Sequence, residues 1–354
     1  MKFVLAVFVA IAVGIVAMGY THLMSPLDSQ GAPVIFEVKP GEPGGQVIRR
    51  LKSEGLIKND MALLIFGRLT GFTSEIRVGE YEISPAMNAL EIKKVLISGK
   101  SFERSITFQE GLNIFEIAEA YEREKFGSKD EFIKVSFDKN IIKSLLGADV
   151  GEEVSSLEGY LLPDTYRIDK FAGPQKLIEE MVRNFLKNYQ TIEPLNEGKF
   201  SRHQLVTFAS MVEKETGDPK ERPLIASVFH NRLKKKMRLQ SDPTIIYGIA
   251  RRTGSMPLNI SKKDILNPSP FNTYTVNALP HGPIANPGLE SMRAVVEPAT
   301  SEYLYFVSRN DGTHVFTSTY KDHNKAVTEW QRTRANREGR SWRDRAKKTS
   351  GAKN

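Results

Sequence analysis

"VIFEVKPGEPGGQVIRRLKSEGLI", Val34 to Ile57, decides the fold class. "VIFEV" is a short strand and "KPG" a turn. The helix that follows sets Val47, Ile48 and Leu51 on one side and ends at Gly55. "DMALLIFGRLTG" reads as a second helix, "IRVGEYEIS" as an alternating strand with Gly79 at a turn or bulge, and "NALEIKKVLISGK" as another helix. The strand, turn and helix order returns at "SITFQEGLNIFEIAEAYERE", Ser105 to Glu124. Small strand-helix-helix-strand modules of this kind predict an α+β protein and not a long parallel sheet.

Upstream, "FVLAVFVAIAVGIVAMGY", Phe3 to Tyr20, runs without a charge and approaches the ~20 residues that cross a bilayer as a helix. Lys2 precedes it and no Lys or Arg follows until Lys39, an asymmetry that places the N-terminus in the cytoplasm and the rest outside. "AMG", Ala17 to Gly19, is a passable signal-peptide site, but the run is longer than a usual signal core, so an uncleaved anchor is expected. A polar linker, "THLMSPLDSQGAP", then leads into the first module.

Downstream of about Asp130 the pattern turns helix-rich. "PQKLIEEMVRNFLKNYQTI" is amphipathic, and "HQLVTFASMVEKETG" is a helix stopped by Gly217 and Pro219. "YLYFVSRNDGTHVFTSTY" reads as a hairpin turning at "NDG".

The chain of 354 residues has room for two or more domains, with the apolar and charged fractions (40% and 26%) of a globular protein. It has no cysteine, which excludes disulfides, thiol nucleophiles and zinc-thiolate sites. The net charge of +8 is concentrated at the end, where Arg332 to Lys353 carry a net +7 and leave +1 for the remainder. A nearly neutral body argues against nucleic acid as the partner. The basic tail reads either as a contact for an anionic polymer, lipid or protein, or as a solvated end. The six histidines show no H-x-x-x-H or H-E-x-x-H spacing, and no phosphate-binding glycine motif occurs, so neither metal nor cofactor is expected.

Three loops concentrate amide, hydroxyl and aromatic groups between Gly and Pro: "LEGYLLPDTY" (Leu157–Tyr166), "LQSDPTIIYG" (Leu239–Gly248) and "SPFNTYTVNALPHGPIANPG" (Ser269–Gly288). That mixture suits a sugar groove; it also suits ordinary turns with Asp164 and Asp242 capping helices. In "SMVEKETG", Glu213 and Glu215 both border the apolar face of their helix, about 200° apart. A carboxyl group at such a border can be a half-buried acid or a solvated charge, and helix geometry does not choose between them.

Together "LEGYLLPDTY", "ASMVEKET", "ASVFHNRL", "MRLQSDPTIIYG", "FNTYTVNALPHGPIANPG" and "YLYFVSRNDGTHVFTSTYKDHNKAV" resemble, in order, the signatures of the YceG-like family of endolytic murein transglycosylases. The resemblance implies a single transmembrane anchor (1–22), a linker (23–33), a LysM-like small α/β module (34–103), a mixed α+β catalytic domain (104–330) and a basic tail (331–354). It implies cleavage of the β-1,4 bond between N-acetylmuramic acid and N-acetylglucosamine in nascent peptidoglycan, leaving 1,6-anhydro ends. It further implies an inner-membrane location and glycan-polymerising synthases as partners. Carried over residue by residue, it makes Glu213 the catalytic acid and base; Glu215 is then read as structural, either salt-bridged, with Arg222 and Arg232 as candidate partners, or solvated. Glu158, Gln240, Ser241, Asp242, Asn272 and Tyr274 are expected to orient substrate. Glu158 is alternatively a second catalytic carboxylate, which would fit a hydrolytic muramidase; a non-catalytic peptidoglycan-binding scaffold is the third reading.

Overall fold

In the computed structural model, residues 2–147 and 150–333 are described; the expected basic tail, from residue 334 onward, lies outside the described residues. The chain divides into two compact units, Met1–Ser105 with Arg167–Ala172, and Ile106–Tyr166 with Gly173–Asn354.

The first unit runs α1 (Lys2–Met24), β1 (Val34–Val38), α2 (Gly44–Ser53), α3 (Asp60–Thr70), β2 (Gly79–Ile83) and α4 (Ala89–Ser98). β1 and β2 pair antiparallel with Phe36 opposite Tyr81. Strand alternation turns Phe36, Val38, Tyr81 and Ile83 to one face, where they join Val47, Ile48 and Leu51 of α2 in the core. Gly71 takes φ 78 as it ends α3, a left-handed cap that glycine adopts without steric cost. A capping box between Asn88 and Glu91 starts α4. The N-terminal apolar run forms the helix α1 with Phe3, Leu5, Phe8 and Ile11 exposed, while Leu23 near its end is buried. Among the described residues no helix is long and apolar enough to cross a membrane; the side chains at positions 2, 6, 12, 15 and 16 of α1 lie outside them.

The chain continues through β3 (Glu103–Thr107), α5 (Ile114–Arg123), α6 (Lys129–Ser136), α7 (Lys139–Leu146) and β4 (Thr165–Asp169). Then come α8 (Gly173–Tyr189), α9 (Glu193–Asn196), α10 (Arg202–Glu215), α11 (Arg222–Lys234), α12 (Asp242–Thr253), α13 (Lys262–Leu266) and α14 (Leu289–Val296). β5 (Tyr305–Ser308), β6 (His314–Thr317) and α15 (Tyr320–Val327) follow. β3 pairs with β4, and β5 pairs with β6 in the expected hairpin, Ser308 opposite His314. Among the described residues every sheet is two-stranded. The molecule is a mixed α+β fold of many helices and small sheets.

α10 positions the chemistry. Its start is fixed by a capping box, Ser201 with Gln204. Apolar periodicity predicts one buried face, yet all nine residues from Leu205 to Glu213 are buried. The reason is that α11, α12 and α14 all pack against α10, and a helix enclosed on every side has no solvent face. Ser210 is accommodated locally: its Oγ donates to the Thr207 carbonyl at 2.7 Å and accepts from the Ile284 N–H at 3.0 Å. Glu213 therefore lies inside the fold, not on the border that the periodicity indicated.

Candidate active site

The two glutamates of α10 point into different surroundings. Glu213 has 5% of its side chain exposed. Its Oε1 accepts from Arg222 Nη2 at 2.9 Å, and its Oε2 accepts from Ser291 Oγ at 2.7 Å and the Gly288 N–H at 3.1 Å. Gly288 is the N-cap of α14, so the carboxylate ties the last turn of α10 to the start of α14, a favourable place for negative charge. The same Arg222 nitrogen donates to Glu110 Oε2 at 2.9 Å. Each oxygen of Glu213 thus already has its donors from protein. A cavity of about 260 Å³ opens beside this network, lined by Glu110, Pro163, Asn188, Gly288 and Glu290 among others.

Glu215 is half-buried on the other side of the helix. Ser241 Oγ donates to its Oε1. Burial pushes the Glu215 carboxyl up to about 7, with the Asp242 charge adding to the effect and Ser241 and Arg232 opposing it. Arg222 pairs with Glu213 and not with Glu215. Arg232 spends two donors on the Leu304 and Leu239 carbonyls, at 2.6 and 2.7 Å. Glu215 is thus neither salt-bridged nor freely solvated, and burial raises its pKa in the direction that a general acid near neutrality needs.

Three of the residues expected to orient substrate gather around Glu215. Ser241 is buried, and its N–H donates to Thr273 Oγ1 at 2.9 Å. Asp242 is exposed and accepts from the Tyr274 hydroxyl at 2.7 Å. Burial, and then the Asp242 carboxylate, push the Tyr274 phenol up, so it stays a donor. Gln240 is exposed at φ 50, a left-handed conformation that turns the chain into α12. Beyond that turn, α12 and the loop after α13 border a cavity of about 320 Å³ whose walls include Ile249, Arg252, Pro268, Pro270 and Phe271.

Asn272 and Glu158 do other work. Asn272 is 1% exposed, and its Nδ2 donates to the carbonyls of Ile265 at 3.0 Å and Asn267 at 2.8 Å while its Oδ1 accepts from the Tyr274 N–H at 2.9 Å. Its hydrogen-bonding capacity goes to holding the loop that presents Tyr274. Glu158 is likewise 1% exposed. It accepts from the Ile114 N–H at the start of α5 and from Asn286 Nδ2 at 2.8 Å, and Asn286 Oδ1 in turn receives the N–H groups of Gly159 and Leu161. The residue expected either to orient substrate or to be a second catalytic carboxylate is thus buried, with its oxygens engaged by the Ile114 N–H and Asn286.

Burial pushes the Glu158 carboxyl up to about 8. A carboxyl whose folded value exceeds its unfolded one binds more protons when folded, so its contribution to stability is complete below about 4.3 and is lost as pH rises through about 8. Urea unfolding at about pH 6 and about pH 9 should show lower stability at the higher pH, and Glu158→Gln should shrink that difference.

The Glu110–Arg222–Glu213–Ser291 network is not foreseen by sequence reasoning. Its members come from four separated segments, and only the short turn at Gly217–Glu221, which brings Arg222 back toward Glu213, offered a local hint.

Comparison with known proteins matches residues 36–329 to the model of the YceG-like family. A protein of Bacillus subtilis named endolytic murein transglycosylase is 32% identical over 320 residues, spanning 86% of this chain and 87% of that one. A protein of the same name from Streptococcus pneumoniae is 29% identical over 354 residues, spanning 90% of this chain but only 63% of the relative's length. Among solved structures, a YceG-like protein from Listeria monocytogenes superposes with a TM-score of 0.56 at 32% identity, covering 84% of this chain and 99% of that one.

Proposed function

The chain belongs to the YceG-like family, and from that premise we propose that it is an endolytic lytic transglycosylase whose acid and base is Glu215. It acts on peptidoglycan glycan strands, as the names of its relatives indicate for them. The hydrogen bonding of the two carboxyl groups of α10 supports the assignment: both oxygens of Glu213 are taken by Arg222, Ser291 and the Gly288 N–H, whereas partly buried Glu215 accepts, among the described residues, only from Ser241 and burial raises it to about 7. The family resemblance by itself points to Glu213; the acid proposed here differs from it by two residues, and its support is the different surroundings of the two carboxyl groups. Glu213 then acts as the brace that fixes the end of α10 against α14.

In the reaction, protonated Glu215 gives its proton to the glycosidic oxygen as the bond to the muramyl C1 breaks, and the N-acetylglucosamine hydroxyl leaves. The muramyl C6 hydroxyl attacks C1 from within the same sugar, and its proton passes to the Glu215 carboxylate. No water is consumed, and the acid is restored. A nucleophile already on the substrate has a high effective concentration, so the second carboxyl group of a hydrolytic glycosidase is not required. Ser241 holds the Glu215 carboxyl through its hydrogen bond. Asp242, oriented by Tyr274, supplies negative charge beside the positive charge developing at C1.

Because the acid must be protonated for the first step, the rate should fall as pH rises past about 7. A pH–rate profile on uncrosslinked peptidoglycan checks this, and an alkaline limb lying far from neutrality would remove Glu215 from the role. The exposed Asp242 favours one second reading, a muramidase in which Asp242 activates water. Product masses decide: 1,6-anhydro ends support the transglycosylase, whereas ends heavier by one water would make it a hydrolase.

The further elements of the reading follow from the family. α1, with its exposed apolar side chains, is taken as an inner-membrane anchor with a cytoplasmic N-terminus. The β1–α2–α3–β2–α4 unit is taken as the LysM-like module, and peptidoglycan synthases as partners. Anchoring would confine the enzyme to newly made strands close to the bilayer.

A further inference from the structure

α3 carries two apolar stripes. Leu63 and Gly67 are buried in the first unit. About 200° around the helix, Met61, Ile65 and Leu69 follow one another at successive turns, 61%, 54% and 81% exposed. A row of large apolar side chains left in water marks an interaction surface. The stripe borders an apolar cavity of about 590 Å³ whose opposite wall is the end of α1, through Met18, Tyr20 and Leu23. Leu23 is itself part of the unit's core, so α1 is built into this unit and is not tethered loosely to it.

We propose that α3 lies on the bilayer surface, its Met61–Ile65–Leu69 stripe seated where the headgroups meet the acyl chains of the membrane that α1 crosses. The inference rests on the anchor reading above and adds a second, peripheral contact to it. Lipid is the occupant that the geometry favours, for reasons of depth. Phe3 to Tyr20 as a helix is about 27 Å long, close to the ~30 Å hydrocarbon thickness. Met18 and Tyr20 therefore stand at the boundary, and the stripe that shares their cavity stands there with them. Tyrosine is enriched at that depth. Lys58 and Arg68, exposed near the two ends of α3, are available to anionic headgroups. A unit held at both α1 and α3 has a fixed face toward the membrane instead of swinging on a single stalk.

The absence of cysteine permits single-site labelling. The full chain carrying Leu69→Cys, Phe8→Cys or Glu82→Cys would be labelled with an environment-sensitive fluorophore and reconstituted in phosphatidylcholine–phosphatidylglycerol vesicles. Glu82 is exposed on β2 between the buried Tyr81 and Ile83, on the sheet face turned from the helices. The expected result is blue-shifted Leu69 emission quenched by lipids bearing a shallow doxyl group, Phe8 emission quenched by a deep one, and Glu82 emission quenched only by aqueous iodide. If Phe8 is quenched from within the bilayer while Leu69 responds to iodide as Glu82 does, the anchor stands and the α3 contact is overturned. A Phe8 label in water would overturn the anchor and this inference with it. Leu69 shielded from both quenchers, increasingly so at higher protein-to-lipid ratio, would make a second copy the occupant and also overturn it.

Discussion

Glu215→Gln should abolish turnover while leaving the fold intact, and Glu213→Gln should do the reverse. General acid–base catalysis contributes about 10²–10⁴-fold, and a glutamine at 215 supplies no proton at all, so a rate loss of that order is expected. The substitution is structurally mild, because the amide oxygen can still accept from Ser241 Oγ and a neutral group replaces a carboxyl that burial already shifts toward its neutral form. Thermal unfolding of Glu215→Gln should therefore match the parent. At position 213 an amide puts an NH₂ donor where Arg222, or Ser291 and Gly288, already donate. Two donors face each other in a buried site, and one loses its acceptor. That protein should be less stable, yet its folded fraction should still cut glycan strands. Anhydro-muramyl products measured by mass spectrometry, alongside the melting temperature, separate the two roles. A stable but inactive Glu213→Gln beside an active Glu215→Gln would return the acid to Glu213.

The contrast between these two residues also shows what a sequence carries and what it does not. The local modules were legible because they depend on neighbours in the chain. Val47, Ile48 and Leu51 share a helix face, the turn at "NDG" closes β5 on β6, and both follow from periodicity and turn chemistry alone. The loop carrying Ser241 and Asp242 and the loop carrying Tyr274 were singled out by residue type, and they do converge. The fates of Glu158, Asn272, Glu213 and Glu215 were not legible, since each is set by what another segment brings. Asn272 looks like a sugar ligand until three backbone carbonyls are found around its amide. Glu213 and Glu215 have similar borders on a helical wheel, and only the packing of α14 on one side and α12 on the other gives them different partners.

The brace can be tested through its other half. Arg222→Met should be the most destabilising single change at the site. It leaves the Glu213 carboxylate buried with only Ser291 and the Gly288 N–H as donors, and removing one partner of a buried pair costs about 3–5 kcal/mol. For a unit of this size each kcal/mol lowers the melting temperature by about 2–4 °C, so a fall of roughly 6–20 °C is expected. Glu110 loses the same contact, but its side chain is 45% exposed and water can replace the arginine. If the cost comes from stranding a charge, removing the charge should return part of it: the double substitution Glu213→Gln with Arg222→Met should lose clearly less than the sum of the two single losses. Strict additivity would mean that the two residues are not energetically paired, and the brace would have to be sought elsewhere. The double variant also bears on catalysis, because Glu215 lies two residues beyond Glu213 and depends on the end of α10 being held. A double variant that folds and still yields anhydro products would establish that the Glu213–Arg222 pair takes no part in proton transfer.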